Sequence, residues 1–125
     1  MPYGVDDLLW EELLEHTGDI LGDVAAAGAT IQYGQLSHKL HSRVPQVKLD
    51  PHYGAMPHLL EEVNVVVSRR DPSAPMISAL VIGADTNEPG GGFYKAAQRL
   101  GYEVGDRMEF WLGQVQACHR WARST

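Results

Sequence analysis

One apolar run constrains the fold of this chain more than any other feature. Residues 76–82 have the sequence MISALVI and carry no charge. The run is too short and too uniformly apolar for a surface helix, so it predicts a strand that is buried on both faces. The segments around this strand show mainly helical patterns.

The segment 5–27 predicts an acidic N-terminal helix. Its apolar residues recur at helical spacing; they are Leu9, Leu13, Ile20 and Val24. The sequence HTGD at 16–19 predicts an interruption, because Thr17 or Asp19 could cap a second helix. The segment is therefore expected as one broken helix or as two short helices, ended by Gly28.

Four further helices are predicted, at 32–42, 55–70, 93–100 and 106–122. In the second of these, Asn64 is expected on the polar side. The last begins at a capping box, and its expected inward face is Met108, Trp111, Leu112, Val115, Cys118 and Ala122. Together these patterns predict one α+β domain over 1–125, mostly α, with one or two short strands and an extra C-terminal helix.

Composition and charge narrow the class of protein. The chain has 125 residues, is 44% hydrophobic and carries a net charge of −6, values typical of a globular domain. Seven acidic residues and no Lys or Arg fall within 1–28, which lowers the expectation of non-specific nucleic-acid binding. No apolar stretch approaches about 18 residues, so no membrane partner is expected. The single cysteine, Cys118, suits a reducing, cytoplasmic location.

The glycine-rich segment that follows the apolar run does not match a phosphate-binding loop. A Walker motif needs Lys and then Ser or Thr directly after its last glycine, but Phe93 and Tyr94 follow Gly92. The dinucleotide pattern GxGxxG fails because Lys95 stands where its third glycine would be. The segment therefore predicts a turn, with no nucleotide cofactor.

Metal and hydrolytic sites are also not expected. The histidines at 38, 41, 52 and 58 lack a recognised zinc-ligand spacing, and no GxSxG elbow occurs. A small-molecule enzyme would be indicated only if one deep pocket gathered Tyr33, His38, Asp85 and Tyr94.

Two short motifs resemble a known family. The stretch IQYGQL at 31–36 resembles the Thr-Tyr-Gly-Glu-Leu entry of the DNA-repair alkyltransferase domain and of its non-catalytic, alkyltransferase-like relatives. The stretch PMISALVIGADTNEPGGGF at 75–93 is similar to that family's Pro-Cys-His-Arg-Val-Val, Ala-Asp-Gly and Gly-Gly-Phe segments. The resemblance covers about residues 8–101 and implies a winged helix-turn-helix core at 30–101, with a hairpin-like wing.

The departures from the family pattern bear on function. The resemblance places Ser78 at the alkyl-accepting cysteine, Ala79 at the histidine and Leu80 at the arginine. Without a thiolate there is no alkyl acceptor, so the chain is not expected to be an enzyme. Tyr53 and its neighbours stand where the family carries a base-flipping arginine, which weakens the case for DNA.

Two hypotheses about function follow. The first is a non-enzymatic winged-helix-like module that binds another protein or itself, of accessory, regulatory or immunity type, with Arg120 and Trp121 as contacts. The second is an alkyltransferase-like, non-catalytic DNA-binding protein that recognises structure or damaged bases near Tyr33, Ser78 and the wing. The candidate binding residues for either are Tyr33, Lys39, Arg43, Lys48, Arg69, Arg70, Ser78, Tyr94, Arg120 and Trp121.

Overall fold

The computed structural model describes residues 2–51 and 54–124 and shows a mostly helical α+β fold. Tyr53 and His52, which were considered above, lie outside the described residues. The helices are α1 (Asp7–Ala26), α2 (Tyr33–Arg43), α3 (Ala55–Arg70), α4 (Gly91–Arg99) and α5 (Arg107–Ser124). The strands are β1 (Ile31–Gln32) and β2 (Val81–Ile82), which pair in parallel with Ile31 opposite Val81.

The predicted strand at 76–82 is only partly confirmed. Val81–Ile82 forms β2, but Ile77–Leu80 forms a 3₁₀ turn that is buried throughout. A continuous apolar run indicates burial without distinguishing a strand from a short helical turn. The prediction was therefore right about burial and wrong about the backbone of the first residues.

Side chains from distant helices replace the hydrogen bonds that a strand would have made. The Met76 N–H donates to Gln114 Oε1 at 2.9 Å, and the Ser78 N–H donates to Asn64 Oδ1 at 2.9 Å. The Ala79 carbonyl accepts from Trp111 Nε1 at 2.9 Å. Because buried backbone groups need partners, these contacts permit the 3₁₀ turn in the centre of the fold.

The predicted interruption of the first helix is wrong, since α1 is continuous. The Thr17 hydroxyl donates to the Leu13 carbonyl at 2.6 Å and is fully buried, so it bonds within the helix instead of capping a new one. Gly18 faces Val63 of α3, where an added Cβ would lie 3.9 Å from a Val63 methyl group. The residues that suggest a break thus lie at the contact between α1 and α3.

The other helices follow the predicted pattern closely. α3 has the predicted bounds, α2 begins one residue later than predicted, and α4 begins two residues earlier. Asp106 accepts the Glu109 N–H at 2.9 Å, in agreement with the predicted cap of α5. Gly28 and Gly101 follow α1 and α4 with φ values of 67° and 93°, the left-handed conformation that favours glycine at a helix end.

The inward face of α5 is narrower than predicted. Trp111, Val115 and Cys118 are buried, whereas Met108 and Leu112 are 43% and 44% exposed. The apolar residues of α5 cover a wide arc, and the 3₁₀ turn and α1 cover only part of it.

The predicted hairpin-like wing has no counterpart among the described elements. After β2 the chain makes a turn in which the Gly83 N–H donates to the Glu88 carbonyl at 2.9 Å, and α4 follows. The sheet formed by the described residues is the parallel pair β1–β2. The winged-helix description therefore stays a prediction, while the α+β, mostly α class is confirmed.

Candidate functional site

A cleft opens where the first turns of α3 and α4 meet the 3₁₀ turn. Its volume is about 190 Å³, and a cavity of about 150 Å³ is large enough to bind benzene. Apolar side chains supply most of its walls; they include Met56, Leu60, Phe93 and Ala96. The cleft therefore has room for one ring-sized apolar group.

Ser78 lines this cleft and is only 5% exposed. Asn64 of α3, itself 3% exposed, holds it by two hydrogen bonds. Asn64 Nδ2 donates to Ser78 Oγ at 2.8 Å, and the Ser78 N–H donates to Asn64 Oδ1 at 2.9 Å. A hydroxyl can donate as well as accept, and the described residues offer no acceptor to the Ser78 O–H.

Tyr33, at the start of α2, lines the mouth of the cleft. Its hydroxyl oxygen accepts the Gly90 N–H at 2.9 Å. Burial raises the pKa of Tyr33, and the hydrogen bond from Gly90 partly offsets this, so the phenol stays protonated at neutral pH. A Cβ added to Gly90 would lie 3.3 Å from the Tyr33 oxygen. Glycine at position 90 thus allows Tyr33 to close against the α4 N-terminus.

Two glycines leave the mouth of the cleft open. Gly91 and Gly92 begin α4, line the cleft and are exposed. A Cβ added at either position would meet no atom within 4 Å, and neither residue has a positive φ. Alanine would therefore fit at both positions without strain and would suit a helix better.

The charged group in the cleft wall is neutralised. Glu61 of α3 lines the cleft and forms an ion pair with Arg99 of α4. The hydrogen bond to Glu61 raises the pKa of Arg99. This wall consequently offers no net charge to an occupant.

Tyr94 lies beside the cleft without lining it. It is 8% exposed, its ring packs edge-on against Phe93, and the Arg107 guanidinium lies 4.7 Å from the ring centroid. Burial, and then the nearby Glu88 carboxylate, raise the pKa of Tyr94. These contacts indicate a packing role for this predicted site residue.

The basic candidates are dispersed. Lys39 and Arg43 lie in a shallow depression with Asp23 of α1, and Lys48 lies in a different one that also contains Asp6. Arg70 donates to Glu15 of α1 at 2.9 Å. Arg69 and Arg70 follow Glu61, a residue of the cleft wall, by eight and nine residues, which places them roughly 12–14 Å further along α3 at about 1.5 Å per residue. The fold does not bring these cations together at the cleft.

The two candidates on α5 also lie elsewhere. Trp121 is half-buried, and its Nε1 donates to Asp71 Oδ2 at 2.9 Å. Hydrogen bonds, first from the Ser73 hydroxyl and then from Trp121, lower the pKa of Asp71. Trp121 therefore ties α5 to the loop after α3 at the edge of the core, with Arg120 exposed beside it.

The sequence patterns missed Asn64, which was placed on the polar side of α3. Its spacing contains a usable signal, because it follows Leu60 by four residues and precedes Val67 by three. Those intervals place the three residues on one helix face. A lone amide on an apolar face indicates a buried polar partner, here Ser78.

Cys118 is expected to resist modification in the native protein. It is fully buried, and burial raises the pKa of its thiol from 9.0 to about 12, so about a thousandfold fewer molecules carry the reactive thiolate at pH 8. Native protein should react with a thiol reagent far more slowly than urea-unfolded protein, the control. Equal reaction rates for native and unfolded protein would contradict the burial of the Cys118 thiol.

The same raised pKa gives a pH dependence of stability. Above pH 9 the thiol ionises in the unfolded chain before it does in the folded one. The unfolded state then binds fewer protons, so the Cys118 contribution to the free energy of unfolding should fall between about pH 9 and 12. Denaturation of wild-type and Cys118→Ala protein across this range would isolate that contribution.

Other candidate chemistry is not assembled in the described ranges. Across residues 2–51 and 54–124, no three His, Cys, Asp or Glu side chains are placed to share a metal ion. Neither His38 nor Asp85 lines the cleft that contains Tyr33. In the same part of the chain, no helix has the length and apolar character needed to cross a membrane.

Comparisons of the chain with protein-family models, with curated proteins and with solved structures find no match.

Proposed function

We propose that this protein is a non-enzymatic binding module that receives an apolar side chain of a partner protein in the cleft. The observation that carries the proposal is a ring-sized cavity with apolar walls and a neutralised charge. Protein interfaces commonly gain most of their affinity from a few anchor residues inserted into desolvated pockets.

The distribution of charge favours a protein partner over nucleic acid. Affinity for DNA comes largely from Lys and Arg that contact phosphates, and the basic candidates lie in separate places around the fold. At the cleft, Arg99 of α4 is paired with Glu61 of α3. The next residue of α3, Glu62, accepts a hydrogen bond from Trp10 at 2.6 Å. An uncharged anchor therefore suits this surface better than a phosphate backbone.

A second candidate function is recognition of a nucleobase by an alkyltransferase-like, non-catalytic DNA-binding protein. The observation that favours it is that Tyr33 and Ser78, which the resemblance associates with a base-binding pocket, both line this cleft. It predicts that duplex DNA retains the protein at about 50 mM salt and releases it as salt rises.

A matched pair of glycine substitutions tests the proposal. Gly92 and Gly113 both lie in helices, and an added Cβ has open space at each, but only Gly92 lines the cleft. Gly92→Leu and Gly113→Leu should each keep or raise stability, by up to about 1 kcal/mol, because leucine is the better helix former. Only Gly92→Leu should obstruct the cleft.

Pull-downs from extracts of the source cells, quantified by mass spectrometry, provide the measurement. A partner that wild-type and Gly113→Leu protein recover in stoichiometric amount should be lost with Gly92→Leu. Equal recovery by both variants would contradict the proposal. Recovery of no stoichiometric protein, together with retention on duplex DNA, would favour the second candidate.

A further inference from the structure

We propose that the cleft is selective for a phenol ring, presented as a tyrosine side chain of the partner protein. The phenol oxygen would accept a hydrogen bond from the Ser78 hydroxyl. This inference rests on the proposed function and specifies its anchor.

The dimensions of the cleft call for a single ring. Its volume of about 190 Å³ exceeds, by a modest margin, the size of a cavity that binds benzene. Met56 and Leu60 supply one apolar wall and Phe93 another. Small polar side chains would leave most of this space empty, and an unfilled apolar cavity forgoes contact energy.

The Ser78 hydroxyl lies in the lining of the cleft and favours an occupant that carries a hydrogen-bond acceptor. Asn64 Nδ2 donates to Ser78 Oγ, and Asn64 Oδ1 accepts the Ser78 N–H. Asn64 therefore occupies one acceptor position of the hydroxyl and leaves its proton to donate elsewhere. A ring without an acceptor would exclude water from the Ser78 O–H and leave this donor without a hydrogen-bond partner, which weakens binding. A tyrosine ring brings an acceptor at its far end, and a phenylalanine ring does not.

The charges around the cleft exclude an ionised occupant. A buried carboxylate or ammonium needs a counter-charge, and the Glu61 carboxylate in the wall is already paired with Arg99. A nucleobase also carries acceptors, but it arrives with phosphates that the dispersed cations do not meet. A neutral phenol carries no charge and brings no phosphate, so it fits this cleft.

The first test uses small probes with the full-length, ¹⁵N-labelled protein. We expect p-cresol to shift the amide resonances of Gly91 and Gly92 and to bind about three- to tenfold more tightly than toluene, the effect of one hydrogen bond. Ser78→Ala should reduce p-cresol to the affinity of toluene. Equal affinities for the two probes in the wild-type protein, or no binding of p-cresol, would overturn the inference.

Two further measurements serve as controls for this test. Because Ser78→Ala removes the acceptor of the buried Asn64 amide, Ser78→Cys provides a second variant that keeps a weak donor; its preference for p-cresol should be intermediate. N-acetyl-tyrosinamide should bind more tightly than N-acetyl-phenylalaninamide if the phenol belongs to a protein. Binding of p-cresol but not of N-acetyl-tyrosinamide would overturn the assignment to tyrosine, as would binding of deoxyguanosine alone.

Failure of this inference is distinguishable from failure of the proposed function. If the cleft bound toluene as tightly as p-cresol, the inference of phenol selectivity would be overturned. In that case Gly92→Leu would still abolish capture of the partner protein. If Gly92→Leu and Gly113→Leu captured equal amounts of the partner protein, the proposed function of the cleft would itself be contradicted.

Discussion

Trp111→Ala is expected to lower the free energy of unfolding by about 3–5 kcal/mol, the range for removing a large aromatic side chain from a core. The Trp111 side chain is 7% exposed, and its Nε1 donates to the Ala79 carbonyl at 2.9 Å. The substitution removes the packing between α5 and the 3₁₀ turn and leaves a buried carbonyl without this donor. Urea denaturation followed by circular dichroism would measure the loss.

Two control variants separate the contributions of Trp111. Trp111→Phe keeps an aromatic ring and removes the donor, so its cost should be smaller, about 1–3 kcal/mol. Leu112→Ala changes a neighbour that is 44% exposed and should cost no more than about 0.5 kcal/mol. Similar losses for the two alanine variants would contradict the orientation of α5.

Asn64→Ala is expected to cost about 2–4 kcal/mol of unfolding free energy. The side chain is 3% exposed and makes two hydrogen bonds to Ser78. Its removal leaves the Ser78 N–H without an acceptor in the core, and each unsatisfied buried group costs about 1–3 kcal/mol. Chemical denaturation at neutral pH would test this value.

The control for Asn64 lies one turn further along α3. The Ser68 hydroxyl donates to the Val65 carbonyl of its own helix at 2.9 Å, so Ser68→Ala should cost less than about 1 kcal/mol. Asn64→Ala and Ser78→Ala combined should cost clearly less than the sum of the two single changes, because both break the same pair. Additive losses would show that the two residues act separately.

Local spacing was sufficient to predict much of the helical architecture. The bounds of α3 follow from a long apolar periodicity, and the cap at Asp106 follows from a short capping signal. These features depend on residues within one or two turns of each other. They can therefore be inferred before any tertiary contact is known.

Local spacing failed where a residue depends on what packs against it. Thr17 and Gly18 suggest a helix break, but α3 packs against that segment and α1 continues. Trp111 and Leu112 are both apolar, and only the coverage of α5 by the rest of the fold separates them. Propensity is a weak guide where packing supplies the larger energy.

The candidate site divides in the same way. The family resemblance suggested Tyr33 and Ser78 as candidates, the glycine pattern predicted a turn, and the apolar run predicted the burial of 76–82. Only the tertiary structure decided that Ile77–Leu80 is a 3₁₀ turn and that Ser78 lines a cleft. The side chains that hydrogen-bond to the backbone of the run 76–82 belong to Asn64, Trp111 and Gln114, at separations of 14, 32 and 38 residues. No pattern within the run records such partners, because the hydrogen bonds that select its backbone are made by other helices.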